Sequence, residues 1–185
     1  MNKIVNGNAF TEGPSTDESV RGPTFVLFPR TFRITRDARS VYEIHRNLTE
    51  NWRRSLRVDS EEMKILSAKM SGSESARVTW DVEVIFLASD RPVSAQIALN
   101  EMARQCLLPA VPSDVIRVVE IEPTAPWMAN NGHGNHTVVF INRGDLTRSI
   151  CLKYDGMCYE RIYRVDVSSP QPSIYSCFAA YRRSD

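Results

Sequence analysis

Three pairs of side chains in this sequence have the residue types that a catalytic or metal site uses. They are the histidines His133 and His136, the cysteines Cys151 and Cys158, and the carboxylates Asp81 and Glu83. Zinc needs three or four ligands, and nothing near the histidine pair adds a third. A catalytic cysteine needs a histidine base, which no pattern supplies. Two carboxylates on one strand face usually meet solvent or an ion-pair partner. We therefore expect a protein that is not an enzyme, with no metal site, no cofactor and no small-molecule substrate. A small enzyme without a recognisable motif is the alternative.

Arginine is the residue type whose distribution points to an interaction. The 185 residues carry a net charge of +1, yet residues 21–57 contain nine Arg against three carboxylates, a formal charge of +6. Residues 58–125 have a formal charge of −5. Such a molecule binds a polyanion on one side or stacks on copies of itself, and the alternative is a solvated surface whose charges happen to cluster. The candidate interaction residues are Arg30, Arg33, Arg36, Arg39, Arg53, Arg54 and Arg57.

Length and composition limit the class of protein. A chain of 185 residues is one domain, or one domain with a tail. No apolar run reaches the roughly 20 residues that span a bilayer, and residues 1–10 lack the apolar segment of a secretory signal. We therefore expect a protein that is not secreted and has no transmembrane segment. Its four Cys should stay reduced.

Residues 1–22 are expected to form a flexible N-terminal arm, followed by a single α+β globular domain over residues 23–185. The arm contains Asn-Gly and Gly-Pro steps and few large apolar side chains, so it cannot offset the entropy cost of ordering. Its apolar Val5, Phe10 and Val20 are the candidates for self-association, because an arm that is mobile in a monomer can dock on a neighbouring copy.

The segment that carries most of the candidate arginines is predicted to be a strand followed by a helix. Residues 24–35 form the strand, with a break or a sheet edge at Pro29. The helix begins at Ser40, which forms a capping box with Glu43, and continues to Arg57. Its apolar face comprises Val41, Ile44, Leu48, Trp52 and Leu56. Arginines and glutamates alternate on another face, which indicates intrahelical ion pairs or, as the alternative, a phosphate-binding stripe.

The middle of the chain is predicted to alternate between helices and strands. Helices are expected at residues 59–70 and 92–107, and strands at residues 76–88 and 115–122. Alternation in the first of these strands ends beyond Glu83, so both of its faces should be covered from there. The buried side of the 92–107 helix should comprise Ile97, Leu99, Ala103, Cys106 and Leu107.

The C-terminal part of the chain is predicted to be a β-meander. Strands are expected at residues 136–142, 146–154, 157–167 and 174–181. Asp155-Gly156 is a two-residue hairpin signal, which would pair Tyr154 with Met157 and set Cys151 and Cys158 diagonally, about 7–8 Å apart. The predicted fold class is α+β, with a mostly antiparallel sheet, two to three helices and a disordered N-terminal arm.

The order of motifs between residues 32 and 88 indicates a family. The strand FRIT runs into the basic turn Arg36-Asp37-Ala38-Arg39 and then into SVYEIHRNLTENW, with aromatic residues at Tyr42 and Trp52. Lys64-Ile65-Leu66-Ser67-Ala68 follows, then Gly72-Ser73 and a long strand. In this order and in these residues the segment resembles the matrix proteins of rhabdoviruses. A plant or other divergent virus fits best, because the Pro-Pro-x-Tyr motif and the Lys-rich arm of animal-virus members are missing.

The resemblance implies a non-enzymatic viral structural protein of the matrix type. Such a protein self-associates, condenses the viral nucleocapsid and bridges it to the membrane or glycoprotein. Its expected partners are copies of itself, the nucleocapsid or RNA, and a membrane surface. Its expected location is the virion and the host-cell cytoplasm, with the nucleus as a further compartment. The alternative is a viral nucleic-acid-binding accessory protein or small capsid protein that applies the Arg-rich segment 21–57 directly to phosphates.

Overall fold

A sheet of eight strands is the framework of the protein. The computed structural model describes residues 22–51, 55–68, 80–121, 137–154, 159–168 and 177–183. The strands are β1 (Phe25–Arg36), β2 (Ser55–Val58), β3 (Trp80–Ser89), β4 (Leu108–Pro109), β5 (Thr137–Phe140), β6 (Ser149–Tyr154), β7 (Tyr159–Val165) and β8 (Cys177–Arg183). The helices are α1 (Val41–Asn51), α2 (Ser60–Leu66), α3 (Ala95–Arg104) and α4 (Asp114–Ile121), and a short 3-10 helix spans Leu146–Arg148.

The strand order in the sheet is β1-β3-β8-β5-β6-β7-β2, with β4 added beside β8. Most neighbours are antiparallel, but β2 runs parallel to β7 and β5 runs parallel to β8. The α+β class is therefore confirmed. The sheet is mixed, and the described residues form four helices rather than the predicted two to three. β5, β6 and β7 are consecutive antiparallel neighbours, as the meander requires. β8 leaves the meander and lies between β3 and β5.

Helices cover both faces of the sheet. α1, α2 and α4 belong to a core cluster on one face that includes Ile44 and Phe86. α3 belongs to the cluster on the other face, with Met102 and Phe178. Burying a large apolar side chain contributes roughly 1.5–3 kcal/mol, so these two clusters supply much of the stability. The prediction that both faces of β3 are covered in its second half is confirmed, because residues 84–87 are all buried.

The boundaries of β1 and α1 follow from local sequence signals. β1 is an edge strand, and its register with β3 shifts between Leu27 and Thr31, around Pro29, which has no N–H to donate. The backbone N–H of Ser40 donates to Glu43 Oε2 at 2.7 Å, and the N–H of Glu43 donates to Ser40 Oγ at 3.2 Å. The edge position of Pro29 and the capping box are both confirmed.

The helix predicted over residues 40–57 is too long. α1 ends at Asn51, and Leu56 is buried on β2. Leu56 continues the helical spacing of apolar residues, but β2 gains a parallel ladder with β7, in which Leu56 pairs with Glu160. Arg57 therefore lies on a strand rather than on the helix. Trp52 lies outside the described residues.

α4 replaces the strand that was predicted over residues 115–122. Its Val115, Val118 and Val119 are β-branched and favour a strand by intrinsic propensity. In the structure they are helical and buried, together with Ile116 and Arg117. A helix that is buried on nearly all sides is stabilised by packing, which here outweighs propensity. The strand prediction is wrong for this reason.

α3 packs through a side that differs in part from the predicted one. It buries Ala95, Ala98 and Met102, whereas Ile97 and Ala103 are exposed. The two buried alanines have short side chains, so the helix axis can lie close to the sheet. The predicted buried side is wrong for Ile97 and Ala103, whereas Leu107 is buried as predicted and Leu99 is partly buried against the same core cluster.

α3 ends in a left-handed turn that has cysteine where glycine is usual. Cys106 has a φ of 57°. The N–H of Leu107 donates to the Met102 carbonyl at 2.8 Å, and the N–H of Cys106 donates to the Ala103 carbonyl at 3.1 Å. These two bonds are the Schellman arrangement that closes many helices. Cys106 is exposed, not buried as predicted.

The hairpin between β6 and β7 has a different register from the predicted one. Tyr154 pairs with Glu160 instead of Met157, and Cys151 pairs with Tyr163. The predicted pairing across a two-residue turn is therefore wrong, and Asp155 and Gly156 themselves lie outside the described residues. The observed pairing differs from the predicted one by an odd number of residues. Such a shift exchanges the two faces of one strand relative to the other, so every side chain in the hairpin has different cross-strand neighbours.

Candidate polyanion-binding surface

Arg36, one of the predicted interaction residues, is an internal structural residue. Its side chain is 5% exposed and forms two hydrogen bonds with Asp114, Nε to Oδ1 at 2.9 Å and Nη2 to Oδ2 at 2.6 Å. Its guanidinium carbon lies 4.5 Å from the centre of the Tyr181 ring. Burial lowers the pKa of Arg36, but the bonds to Asp114 raise it, and the pKa lies above its usual value. Arg36 is therefore not part of the predicted surface.

Arg39 and Arg117 form a second charged network next to this ion pair in sequence. Arg39 binds Asp37 Oδ2 and Glu120 Oε1, each at 2.6 Å. Arg117 donates to the backbone carbonyl of Thr35 at 3.1 Å, and its Nη2 lies 3.7 Å from Asp37 Oδ1. The network ties α4 to the connection between β1 and α1. Arg39 stays partly exposed, but two carboxylates already compensate its charge.

Arg33 is exposed on the edge strand β1, next to carboxylates of β3. Its side chain is 77% exposed, and its Nε lies 3.7 Å from Asp81 Oδ2. The hydroxyls of Thr31 and Thr35 donate to Glu83 at 2.8 Å and to Asp81 at 2.7 Å. Asp81 and Glu83 are therefore the ion-pair and hydrogen-bond partners that the strand pattern indicated. The positive charge of Arg33 at this edge of the sheet is therefore compensated by a carboxylate.

The remaining predicted site residues are only partly described. Arg57 is exposed on β2. Arg30 is a residue of β1, but its side chain lies outside the described part of the structure. Also outside the described residues are Arg53 and Arg54, the arm residues Val5, Phe10 and Val20, the histidines His133 and His136, and Cys158.

Arg57 belongs to a row of three cations that crosses three neighbouring strands. In the sheet register Arg57 of β2 lies opposite Arg161 of β7, which in turn lies opposite Lys153 of β6. Residues paired in register project from the same face of a sheet. All three side chains are exposed. We call these three residues the basic row, and at a strand spacing of about 4.8 Å it is about 10 Å long.

An aromatic ring and a buried core flank the basic row. The guanidinium carbon of Arg161 lies 5.8 Å from the centre of the Tyr163 ring, two residues along the same strand face. Tyr163 pairs with Cys151, which is fully buried. Burial raises the pKa of Cys151 to about 12, so this thiol stays neutral and serves as a small apolar residue. The row therefore borders an apolar core on the side of Tyr163 and Cys151.

A carboxylate from α2 holds the edge of the sheet beside the row. The ladder between β2 and β7 ends where Val58 pairs with Ile162. Beyond that point Glu62 Oε1 accepts a hydrogen bond from the backbone N–H of Arg164 at 3.1 Å. This contact continues the edge of β7 and fixes α2 next to β2. It therefore supports the register that brings Arg57 beside Arg161.

Charge compensation separates Lys153 and Arg161 from Arg33, Arg36 and Arg39. Within the described ranges, no carboxylate forms an ion pair with Lys153 or Arg161. Arg33, Arg36 and Arg39, by contrast, each have a carboxylate partner. Like charges directly opposite one another destabilise a sheet. Lys153 and Arg161 therefore favour an external anion that lies across β6 and β7.

Lys153 and Arg161 were not among the predicted site residues. The available signal was that Lys153 lies between Leu152 and Tyr154, and that Arg161 directly precedes the apolar Ile162, each within a predicted strand. The two-residue turn would instead have set Lys153 opposite Cys158, so the two cations did not meet in the predicted register. Their juxtaposition depends on the pairing of β6 with β7.

The other kinds of chemistry considered do not converge on a site in the described part of the chain. There, no group of three or more His, Cys, Asp or Glu side chains is arranged to hold a metal ion. Burial raises the pKa of Cys177 to about 12, which disfavours its thiolate. Over the same ranges, no helix has the length and apolar character to cross a membrane.

Comparison with known proteins adds no assignment for this surface. No family model matches the chain, and no curated protein or solved structure matches it. The basic row is therefore interpreted from its own geometry.

Proposed function

We propose that this protein is a non-enzymatic viral structural protein of the matrix type, which self-associates and condenses the nucleocapsid. The observation that carries the proposal is the basic row, Arg57, Arg161 and Lys153, on the exposed face of three adjacent strands. A nucleocapsid presents a dense array of phosphates and carboxylates that can neutralise such a row. The protein would also bridge the nucleocapsid to a membrane or glycoprotein, and it would act in the virion and the host-cell cytoplasm. The resemblance of residues 32–88 to matrix proteins supports both parts of the proposal.

A groove beside α3 supports the self-association part of the proposal. Its volume is about 660 Å³, and its lining includes the apolar residues Leu99, Leu107 and Leu146 together with Arg143. Arg143 is exposed and gives the groove a positive charge. The groove therefore suits a ligand that is both apolar and acidic.

The N-terminal segment of a second copy has this chemistry. Residues 1–20 have a formal charge of −2 and include Val5, Phe10 and Val20. The N–H of Thr24 donates to Asp90 at 3.1 Å, so the chain enters the fold close to the start of α3. Twenty extended residues reach about 65 Å, which is enough to arrive at the groove of a neighbouring copy.

Light scattering and electron microscopy at several protein and salt concentrations test self-association. We expect oligomers that grow with protein concentration and dissociate as salt rises, because the screening length falls from about 10 Å at 0.1 M to about 3 Å at 1 M. Replacing Val5, Phe10 and Val20 by Ser should weaken the oligomers. Replacing the polar Asn2, Asn8 and Thr16 by Ser is the matched control. A strict monomer at high concentration and low salt would contradict the proposal.

Co-sedimentation with nucleocapsids reconstituted from the cognate nucleoprotein and RNA tests the second part. We expect the protein to pellet with them and to compact them in electron micrographs. Failure to pellet at 0.1 M salt would count against a matrix-type role.

The basic row also favours a second candidate, a nucleic-acid-binding accessory protein or small capsid protein. That protein would use the same cations on bare nucleic acid. An accessory protein that binds as a monomer would show RNA binding without concentration-dependent oligomers, and this combination separates the two candidates.

A further inference from the structure

We infer that the basic row binds the phosphates of single-stranded RNA directly, with Tyr163 as the surface on which an unpaired base stacks. The inference rests on the proposed function and deepens it, because it names the RNA itself, rather than the nucleoprotein that coats it, as the ligand of this face.

Protection of the sheet edge does not account for the row. Charged side chains on an edge strand keep it from pairing with another chain. Of the three cations only Arg57 lies on the edge strand β2, whereas Arg161 and Lys153 lie on the second and third strands. Two of the three cations therefore need another explanation.

The shape of the row fits a linear polyanion. The three cations run perpendicular to the strands, one residue wide and about 10 Å long. A membrane-binding face would add exposed apolar side chains that insert among the lipids. The exposed large apolar side chains of the described residues are Val26, Tyr42, Ile97 and Ile121. They lie on β1, α1, α3 and α4, and none lies on the strands of the row.

Tyr163 indicates an unpaired strand rather than a duplex. It is half-buried, on the same face as Arg161 and within reach of its guanidinium. Proteins that bind single strands without sequence preference combine cations along the backbone with aromatic rings on which bases stack. In a duplex the base faces are already stacked and cannot reach such a ring. The expected ligand is therefore single-stranded and of any sequence.

Fluorescence anisotropy with a labelled uridine 15-mer and a duplex of the same length tests this inference. For single strands, each neutralised phosphate contributes about −0.7 to the slope of log K against log salt. Lys153→Gln with Arg161→Gln should therefore reduce the magnitude of that slope by about 1.4. Tyr163→Leu should lower affinity by roughly fivefold or more and leave the slope unchanged, because it removes stacking and no charge.

Arg91→Gln with Arg104→Gln is the matched control. It removes the same net charge from two exposed arginines that are paired with Asp90 and Glu101. We expect the wild-type slope for this control. The row variant should unfold at the same or a higher urea concentration than the wild type, because it relieves repulsion between opposed cations.

The outcomes distinguish this inference from the proposed function. An unchanged slope in the row variant overturns the inference. A wild-type protein that ignores bare RNA, or prefers phosphatidylserine vesicles to it, overturns the inference too, while oligomers and nucleocapsid pelleting would still support the proposed function. Row-dependent RNA binding by a strict monomer supports the inference and contradicts the matrix-type role.

Discussion

Arg36 and Asp114 are separated by 78 positions in sequence, yet they form a buried two-point ion pair that joins the end of β1 to the first residue of α4. Asp114 Oδ2 also accepts the backbone N–H of Val111 at 3.0 Å, so the same carboxylate fixes the turn that leads into α4. The pair therefore holds β1, α4 and the turn before α4 together, and the charges of Arg36 and Asp114 stabilise the fold rather than bind a ligand.

Breaking the buried ion pair should strongly destabilise the protein. Asp114→Asn leaves the Arg36 guanidinium buried without an opposite charge, and we expect a loss of about 3–5 kcal/mol. The double replacement Arg36→Met with Asp114→Leu should cost much less than the sum of the single replacements. Urea unfolding measures both effects. Arg33→Met, at an exposed pair, is the control and should cost at most about 1 kcal/mol. Equal losses at Arg33 and Asp114 would contradict this assignment.

The capping box should make α1 sensitive to a single hydroxyl. Ser40→Ala removes the bond from the Glu43 N–H to Ser40 Oγ, and we expect a loss of about 1 kcal/mol. Asp59→Ala is a matched control, because Asp59 occupies the N-cap of α2 without a side-chain cap hydrogen bond. Chemical denaturation compares the two variants, and a control that loses as much as Ser40→Ala would show that the cap bond is not the cause.

Stability should fall in acid. A hydrogen bond from Arg104 lowers the pKa of Glu101, and one from Gln105 lowers it further. The backbone N–H of Ser40 lowers the pKa of Glu43. Each carboxyl is then ionised to a lower pH in the folded state than in the unfolded state. The stabilisation is complete above the unfolded pKa, about 4.3, and is lost as pH falls through the folded value.

Urea midpoints measured between about pH 6 and pH 3 check this dependence, which lies in the range of the carboxyl pKa values. We expect the midpoint to decrease toward pH 3, and Glu101→Gln to give a flatter profile than the wild type. A midpoint that rises in acid would contradict the sign.

Replacing the cysteine at the end of α3 should stabilise the protein. Cys106 holds a left-handed φ of 57°, which costs a residue with a Cβ about 1–2 kcal/mol relative to right-handed backbone. Cys106→Gly should therefore raise stability by about 1 kcal/mol, since glycine adopts this conformation freely. Cys106→Ala keeps the Cβ and should gain nothing. Thermal unfolding compares the two, and equal midpoints would show that backbone strain is not relieved.

Signals that depend on a few neighbouring residues predicted the structure well. The Ser40 capping box, the edge position of Pro29 and the double-sided burial of residues 84–87 were all readable from local spacing. α4 could not be read in this way, because Val115 and Val118 favour a strand until α4 is packed against the rest of the core. Tertiary burial, which the sequence pattern does not specify, decides its conformation.

The candidate surface was less predictable than the fold. Arg36 and Arg57 both lie in the basic segment, but only the strand pairings and the position of α4 determine that one is internal and the other exposed. Lys153 and Arg161 become neighbours through the register of β6 with β7, and Arg57 reaches Arg161 through a parallel ladder. Charge counting along the chain cannot find such a row.

The place of β8 in the sheet has a consequence for how the chain is made. β8 follows the other strands in sequence, yet in the described sheet it joins β3 on one side to β5 on the other. At about 5–20 residues per second, the ribosome releases the earlier strands well before residues 177–183 emerge. Until then the edges of β3 and β5 that β8 will occupy are open to strands of other nascent chains. A polysome that translates this message densely should therefore need a chaperone, or slow initiation, to keep neighbouring chains from exchanging β8.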